Sequence, residues 1–483
     1  MKAGTIGNWI WRLVAVLASL IALLLALRVL QSERQPDLKP WHTWAPRESA
    51  AGEIDQLDWP GWMSAEETLF SATRAKMHTA IEAEDRVPAN RYFEDSPLNP
   101  AQFARDWNRS YEMLPAGQPV GAVVLLHGLS DSPYSLRHVA QGYVNHGYAA
   151  VGIRLPGHGT VPAGLTKARW QDWRAATRLA MREARRLAGP GKPVHIVGYS
   201  NGGALAMQYT LDAATDPKLD MPARVVLLSP MIGLTYFARY AGIAGWPALL
   251  PRFSKSAWLD IIPEFNPFKY NSFPVNAARQ SYELTQVIDE QLAAAAGNGA
   301  LAKLPPILAF QSVVDSTIDG QALISTLFAR LPANGSELVL FDVNRATPFD
   351  ILMSRPALQR LQQMLPTGPQ RYRITVIGNT PGEARATESV RAPGDVAVTA
   401  RQLEFEYPRN FFSLSHVALP FPINDSLYGT EPEARDFGVH LGIQSPRGER
   451  GTLLRGADTL ARASCNPFFP YLSARIEEAL GAP

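Results

Sequence analysis

Residues 194–203 read Val-His-Ile-Val-Gly-Tyr-Ser-Asn-Gly-Gly, an apolar run that passes directly into G-x-S-x-G, with helix-forming residues following at 204–211. A hydroxyl becomes a useful nucleophile when it stands clear of its neighbours, and a tight strand-to-helix turn achieves that. Gly198 and Gly202 leave room there for the two backbones to pass. The positive end of the following helix favours negative charge developing at Ser200. The competing structural reading is a Gly-rich turn with Ser200 as a helix cap. The position of the motif, between a strand and a helix, decides for the nucleophile.

A second signal agrees. His127-Gly128-Leu129 directly follows the apolar run 122–126. A loop at that point can aim backbone N–H groups at an oxyanion, so the N–H of Leu129 and that of Asn201 are the expected donors.

These residues need elements to hold them. Continuous apolar runs at 122–126, 149–153, 194–197, 225–228 and 307–310 read as buried parallel strands. Helical stretches at 135–145, at 170–187 and from about 203 onward separate the first four. Alternation at this spacing predicts a mostly parallel sheet covered by helices on both faces. Further strand-like runs at 337–341, 372–377 and 403–407 read as the last strands of that sheet, with inserted material. Ser64-Ala-Glu-Glu67 predicts a capped helix to about Glu84, and a C-terminal helix is expected from about Pro470. Residues 230–303 carry Trp246, Trp258, Phe265, Phe268, Tyr270 and Phe273, too much apolar material for a loop, and predict a mostly helical cap.

HGLSDSP (127–133), RLPGHG (154–159) and GYSNGG (198–203) together resemble the α/β-hydrolase superfamily. More narrowly, they are similar to its branch of carboxylesterases, monoacylglycerol lipases and serine aminopeptidase-like hydrolases. The likeness covers about 118–230 well, and the strand at 307–311 with its flank. It implies an α/β-hydrolase fold and a triad in the chain order Ser, acid, His. Asp315, just beyond the strand at 307–311, has the reach expected of the acid. Asp260 lies inside the cap, and Asp319 opens a helix as an N-cap. Of the two histidines beyond Asp315, His440 sits in a strand-like run, whereas His416 lies in a loop with apolar neighbours and is the expected base. His127 precedes Ser200 and reads as structural. The chain departs from the pattern between acid and histidine: 342–344 hold no histidine where one is ordinarily found, so about 342–405 reads as an insertion.

The expected activity is cleavage of carboxylic, acyl-lipid esters through an acyl-enzyme, without metal or organic cofactor. Thioester, amide or peptide hydrolysis and acyl transfer are the enzymatic alternatives. A membrane-tethered binding module without catalysis is the alternative of another class.

The chain has 483 residues, 46 Lys+Arg against 44 Asp+Glu, and one cysteine. This balance excludes the strong basic excess of a nucleic-acid-binding domain. Cys465 alone can form neither an internal disulfide nor a multi-cysteine metal site. Residues 13–27 are apolar and uncharged between Arg12 and Arg28, and with their flanks reach the roughly 20 residues of a membrane span. No small-x-small site follows, so an uncleaved anchor is expected, a cleaved signal peptide being the rival. Lys2 and Arg12 place the N-terminus in the cytoplasm, and the Ala/Arg/Pro-rich composition reads as bacterial, which puts the catalytic part in the periplasm. The expected plan is an anchor at 1–30, a tether and helical segment at 31–110, hydrolase core at 111–230, cap at 231–303 and the rest of the core at 304–483.

Overall fold

The computed structural model describes residues 3–233, 245–346, 355–409, 411–442 and 463–481. Its strands are β1 (Tyr111–Met113), β2 (Gly121–Leu126), β3 (Tyr148–Ile153), β4 (Val194–Tyr199), β5 (Arg224–Leu228), β6 (Trp258–Asp260), β7 (Phe273–Pro274), β8 (Ile307–Ser312), β9 (Glu337–Phe341), β10 (Arg373–Gly378), β11 (Arg385–Arg391) and β12 (Val398–Glu406). Ten of them form one sheet in the order β1-β3-β2-β4-β5-β8-β9-β10-β11-β12. From β3 to β10 every pairing is parallel, while β1 and the last two strands run antiparallel to their neighbours. This is the mostly parallel sheet that the apolar runs and the resemblance implied. Every residue of β2, β3, β4, β8 and β9 is buried, which is why these strands are mostly apolar rather than alternating.

Helices cover both faces. Trp170–Ala188, Asn201–Thr215 and Val275–Asn298 pack together on one side, and Arg137–Asn145 and Phe469–Glu477 lie together on the other. Among the described residues of the expected cap, only Val275–Asn298 is a long helix, and it belongs to the core layer. Residues 245–274 are instead 3-10 turns (Trp246–Leu249, Pro251–Ala257) and the small ribbon β6-β7. Prolines at 247, 251, 263, 267 and 274 remove backbone donors there and stop helix propagation. Residues 234–244 of that cap lie outside the described residues.

The expected insertion at 342–405 lengthens the sheet rather than covering the site. It adds a helix, Arg355–Met364, and the strands β10 to β12 beyond β9.

The N-terminal helix runs Ala3–Glu33; its part Trp11–Glu33 is long and apolar enough to cross a membrane, and the most apolar stretch of it is not buried against the protein. The stretch 31–62, expected as a tether, packs against the core, with Trp41, Ile54, Trp59 and Trp62 buried. The following helix is Trp59–Ala80, starting earlier than expected because Asp58 caps it, its Oδ1 accepting from Gly61 N–H at 2.9 Å. Arg154, 1% exposed, fixes this segment to the core. Its Nε donates to Glu66 at 2.9 Å, its Nη1 and Nη2 to both oxygens of Glu48 at 2.8 and 3.0 Å, and Nη1 also to His158 O at 3.0 Å. Burial works against the guanidinium charge, but the two carboxylates more than hold it.

Candidate active site

Ser200 sits at the junction of β4 and the helix Asn201–Thr215 with φ +53°. Ser130, Ser200 and Ser229 are the non-glycine residues with positive φ among the described residues. All three lie just past a strand's C-terminal end, at the edge where the site is built. Each such backbone costs on the order of 1–3 kcal/mol and persists only where surrounding structure enforces it. The enforcement is visible at the glycines. A Cβ on Gly202 would lie 1.9 Å from Leu126 O, and one on Gly198 would lie 2.3 Å from Gly202 O. A Cβ on Gly128 would come 3.3 Å from the Cβ of Ser200. The loop after β2 is therefore pressed against the serine turn, which puts Leu129 beside it. Asn201 is the first residue of its helix, where a backbone N–H has no intrahelical acceptor. Its side chain is held by Ser281 Oγ at 3.2 Å, from the helix Val275–Asn298.

The expected acid and base come from two loops. Asp315 follows β8 and His416 opens a short 3-10 turn, His416–Ala418, beyond β12. His416 Nε2 is 2.9 Å from Ser200 Oγ, and its Nδ1 is 2.8 Å from Asp315 Oδ2. With Asp315 ionised, Nδ1–H donates to the carboxylate and Nε2 is left to accept from the serine hydroxyl. The Asp315 carboxylate also accepts from the backbone N–H of Thr317 at 2.8 Å and Ile318 at 3.0 Å, and from Gln311 Nε2 at 2.9 Å. Burial pushes its pKa up, but the bond and charge of His416 and the two amides outweigh it and hold the carboxyl below its usual range. Ser200 and His416 are each 5% exposed, so the hydrogen bond between them is largely shielded from water.

Several supporting groups carried no recognisable sequence signal. Ser312 Oγ donates to Leu414 O at 2.8 Å, tying the histidine loop to β8. Asn344, just past β9, donates from its backbone N–H to Phe412 O at 2.9 Å and from Nδ2 to Phe411 O at 2.7 Å. The Tyr199 ring lies 5.6 Å from the His416 ring. These are ordinary polar and aromatic residue types, and only the fold shows what they hold.

The other candidates stand apart. His127 is fully buried, with Nδ1–H donating to Gly128 O at 2.8 Å and Nε2 accepting from Leu155 N–H at 3.0 Å. Burial, with His158 and Arg154 nearby, keeps its pKa well below the usual value, so it stays neutral and structural. Asp319 caps the helix Gly320–Thr326 through Gln321 N–H at 3.0 Å. Asp260 is exposed in β6. His440 lies in irregular chain rather than a strand, its Nδ1 3.1 Å from Ser426 O. Among the described residues, no cluster of three or more His, Cys, Asp or Glu side chains could hold a metal ion.

A cavity of about 260 Å³ adjoins the site. It touches Ser130, in the loop after β2, and Val417, next to His416, and Ile262, Phe265, Phe273 and Phe421 make much of its wall. Below it, Asp425 is fully buried; its Oδ1 accepts from Tyr134 Oη at 2.9 Å and from the N–H of Leu427 and Tyr428. Arg137 and His138 face its other oxygen at 2.8 and 2.9 Å. Burial raises the pKa of this carboxyl, but Arg137 and His138 together hold it far below the usual range.

Residues 117–342 match the family described as serine aminopeptidase, S33. A thermostable monoacylglycerol lipase from Bacillus sp. (strain H-257) is 28% identical over 163 residues, 34% of this chain; the chain spans 60% of that relative's length. Two metagenome-derived lipolytic enzymes, LipS and LipT, are represented among similar solved structures, at 21% identity and a TM-score of 0.38 over 49% of this chain and 88% of that one. A soluble variant of the monoglyceride lipase of Saccharomyces cerevisiae is similar at 15% identity and a TM-score of 0.38, over 48% and 82%.

Proposed function

The chain belongs to the α/β-hydrolase superfamily, and from that premise we propose that it is a membrane-anchored serine hydrolase that cleaves carboxylic esters of acyl lipids. The observation that carries the reading is the hydrogen-bonded line from Ser200 Oγ through the His416 ring to Asp315, at 2.9 and 2.8 Å.

The chemistry follows from that line. Ser200 Oγ attacks the ester carbonyl carbon while His416 Nε2 takes its proton. Asp315 accepts from Nδ1–H throughout, fixing the ring and stabilising the imidazolium. The carbonyl electron pair moves onto oxygen, where the N–H groups of Leu129 and Asn201 receive it; one such donor is worth roughly 3 kcal/mol. His416 then protonates the leaving alcohol as the C–O bond breaks. A water molecule, deprotonated by the same ring, cleaves the acyl-enzyme and returns Ser200. Every step uses groups of the chain itself.

Acyl lipids lead as substrates because the adjoining cavity is walled by Ile262, Phe265, Phe273 and Phe421 and the apolar N-terminal helix would bring the enzyme to lipid. The relative described as a monoacylglycerol lipase supports this class. The N-terminal helix acts as an anchor with its N-terminus cytoplasmic and the catalytic part on the outer side, the periplasm in a bacterial cell. The family description favours a second reading, hydrolysis of an amide or peptide by the same residues.

The test is turnover of p-nitrophenyl esters, acetyl to palmitoyl, by the wild type and by Ser200→Ala, beside an aminoacyl anilide. Ester turnover that vanishes in the variant and peaks at one acyl length is expected. Folded wild-type protein that hydrolyses the anilide alone would replace the ester reading with the second one. Hydrolysis of neither would leave the binding module.

A further inference from the structure

The N-terminal helix does not end in a free tether. Arg28 Nη2, near its last turn, donates to Trp258 O and, at 3.4 Å, to Ser256 O. Ser32 Oγ is 2.9 Å from Ser256 Oγ, and Ser32 is fully buried. Just beyond the helix, Gln35 Nε2 donates to Leu259 O at 2.8 Å, while Lys255 Nζ reaches Asp37 Oδ1 at 2.7 Å and Gln35 O at 3.1 Å. Six polar contacts of this kind fix the helix end to residues 255–259, so the end of the helix and this segment form one body.

Beside that junction the turn Trp246–Leu249 also touches the helix, and there Trp246 and the adjoining Leu250 are 55% and 60% exposed. Large apolar side chains left open next to the end of an apolar helix have one natural environment. A tryptophan at such a level suits the headgroup layer, with its ring in the acyl boundary and its N–H toward water. Four residues on from Trp258, at most roughly 14 Å along the chain, Ile262 lines the cavity beside the site, followed by Phe265.

We propose that residues 246–259 rest on the bilayer surface beside the emerging helix, with Trp246 and Leu250 inserted among the lipids, so that the cavity is held next to the membrane. The partner is the lipid surface itself. The proposal rests on the anchor reading given above, not on the identity of the ester.

The test reads contact directly and needs no turnover. The full-length chain, carrying Leu250→Cys or, as a second position, Trp246→Cys, is labelled with a fluorophore and reconstituted into phosphatidylethanolamine vesicles with a minor share of phosphatidylglycerol. The native Cys465 is buried, so unsubstituted protein serves as the blank. The control label goes at Val396, 57% exposed between β11 and β12. Because Arg391 pairs with Ile374 near the start of β10, that loop lies at the opposite end of the sheet from Ser200. Lipid bearing a headgroup nitroxide should quench the label at 250 or 246 roughly threefold or more above that at 396. Equal quenching at the two ends, in protein that floats with the vesicles, would overturn the docking and leave the anchor standing. Protein that fails to float would remove the anchor and the docking with it.

Discussion

Asn344, at the end of β9, hydrogen-bonds to Phe411 across 67 positions of sequence. The described residues between them, which include a helix and three strands, are added at the sheet edge, and the chain leaves and returns at nearly one point. The histidine loop therefore meets Asp315 as though it directly followed β9, although His416 lies 101 positions beyond the acid.

Cutting that junction should disturb positioning more than binding. Asn344→Ala is expected to lower kcat on a soluble ester roughly tenfold with KM little changed, since a small displacement of a catalytic ring is costly. A rise in KM at constant kcat would show that the junction shapes the cavity instead.

Asp315→Asn should leave the fold intact and lower kcat by roughly 10⁴-fold, because an amide cannot hold the required imidazole tautomer or stabilise the imidazolium. Steady-state kinetics beside circular dichroism would check this. Activity within tenfold of wild type would point to another acid.

Asp425 gives a pH prediction. Its carboxyl is held below the usual value in the folded chain, so the stabilisation is full above the ordinary carboxylate pKa of about 4 and fades as pH falls through the lowered value. Asp425→Asn should cost about 3 kcal/mol at neutral pH, leaving Arg137 without its buried partner. The gap in melting temperature between variant and wild type should stay constant from pH 8 to about 5 and narrow in stronger acid. A gap that widens in acid would mean that the pairing is not what stabilises this cluster.

Two glycine variants separate close approach from composition. Gly202→Ala would drive a methyl into Leu126 O and should yield little folded protein. Gly117→Ala, with nothing within 4 Å, should be neutral within about 0.5 kcal/mol. Yield and melting temperature decide.

Much of this architecture was legible from residue order. Strands such as 122–126 and 194–199 announce themselves because both of their faces are buried, so nearly every position is apolar. β11 could not be read that way: Arg-Ala-Thr-Glu-Ser-Val-Arg lies far out on the sheet, with most of its side chains half-buried or exposed. The elbow glycines and the loops of Asp315 and His416 stand out because they follow strands directly. The grip of Asn344, Ser312 and Gln311 on those loops was invisible, since their residue types are equally at home in any turn. The stretch 31–62 looked like a tether because its proline content hides four buried aromatic and aliphatic anchors.

Arg154 links that stretch to the core in a way that bears on the order of events in synthesis. The ribosome delivers Glu48 and Glu66 first, and their shared guanidinium follows only 106 and 88 positions later. Until then the two acids have no cation to close on, and the nascent segment must wait in water. The segment thus cannot settle before Arg154 has been made. A chain halted before Arg154 would carry two carboxylates with no place to be buried.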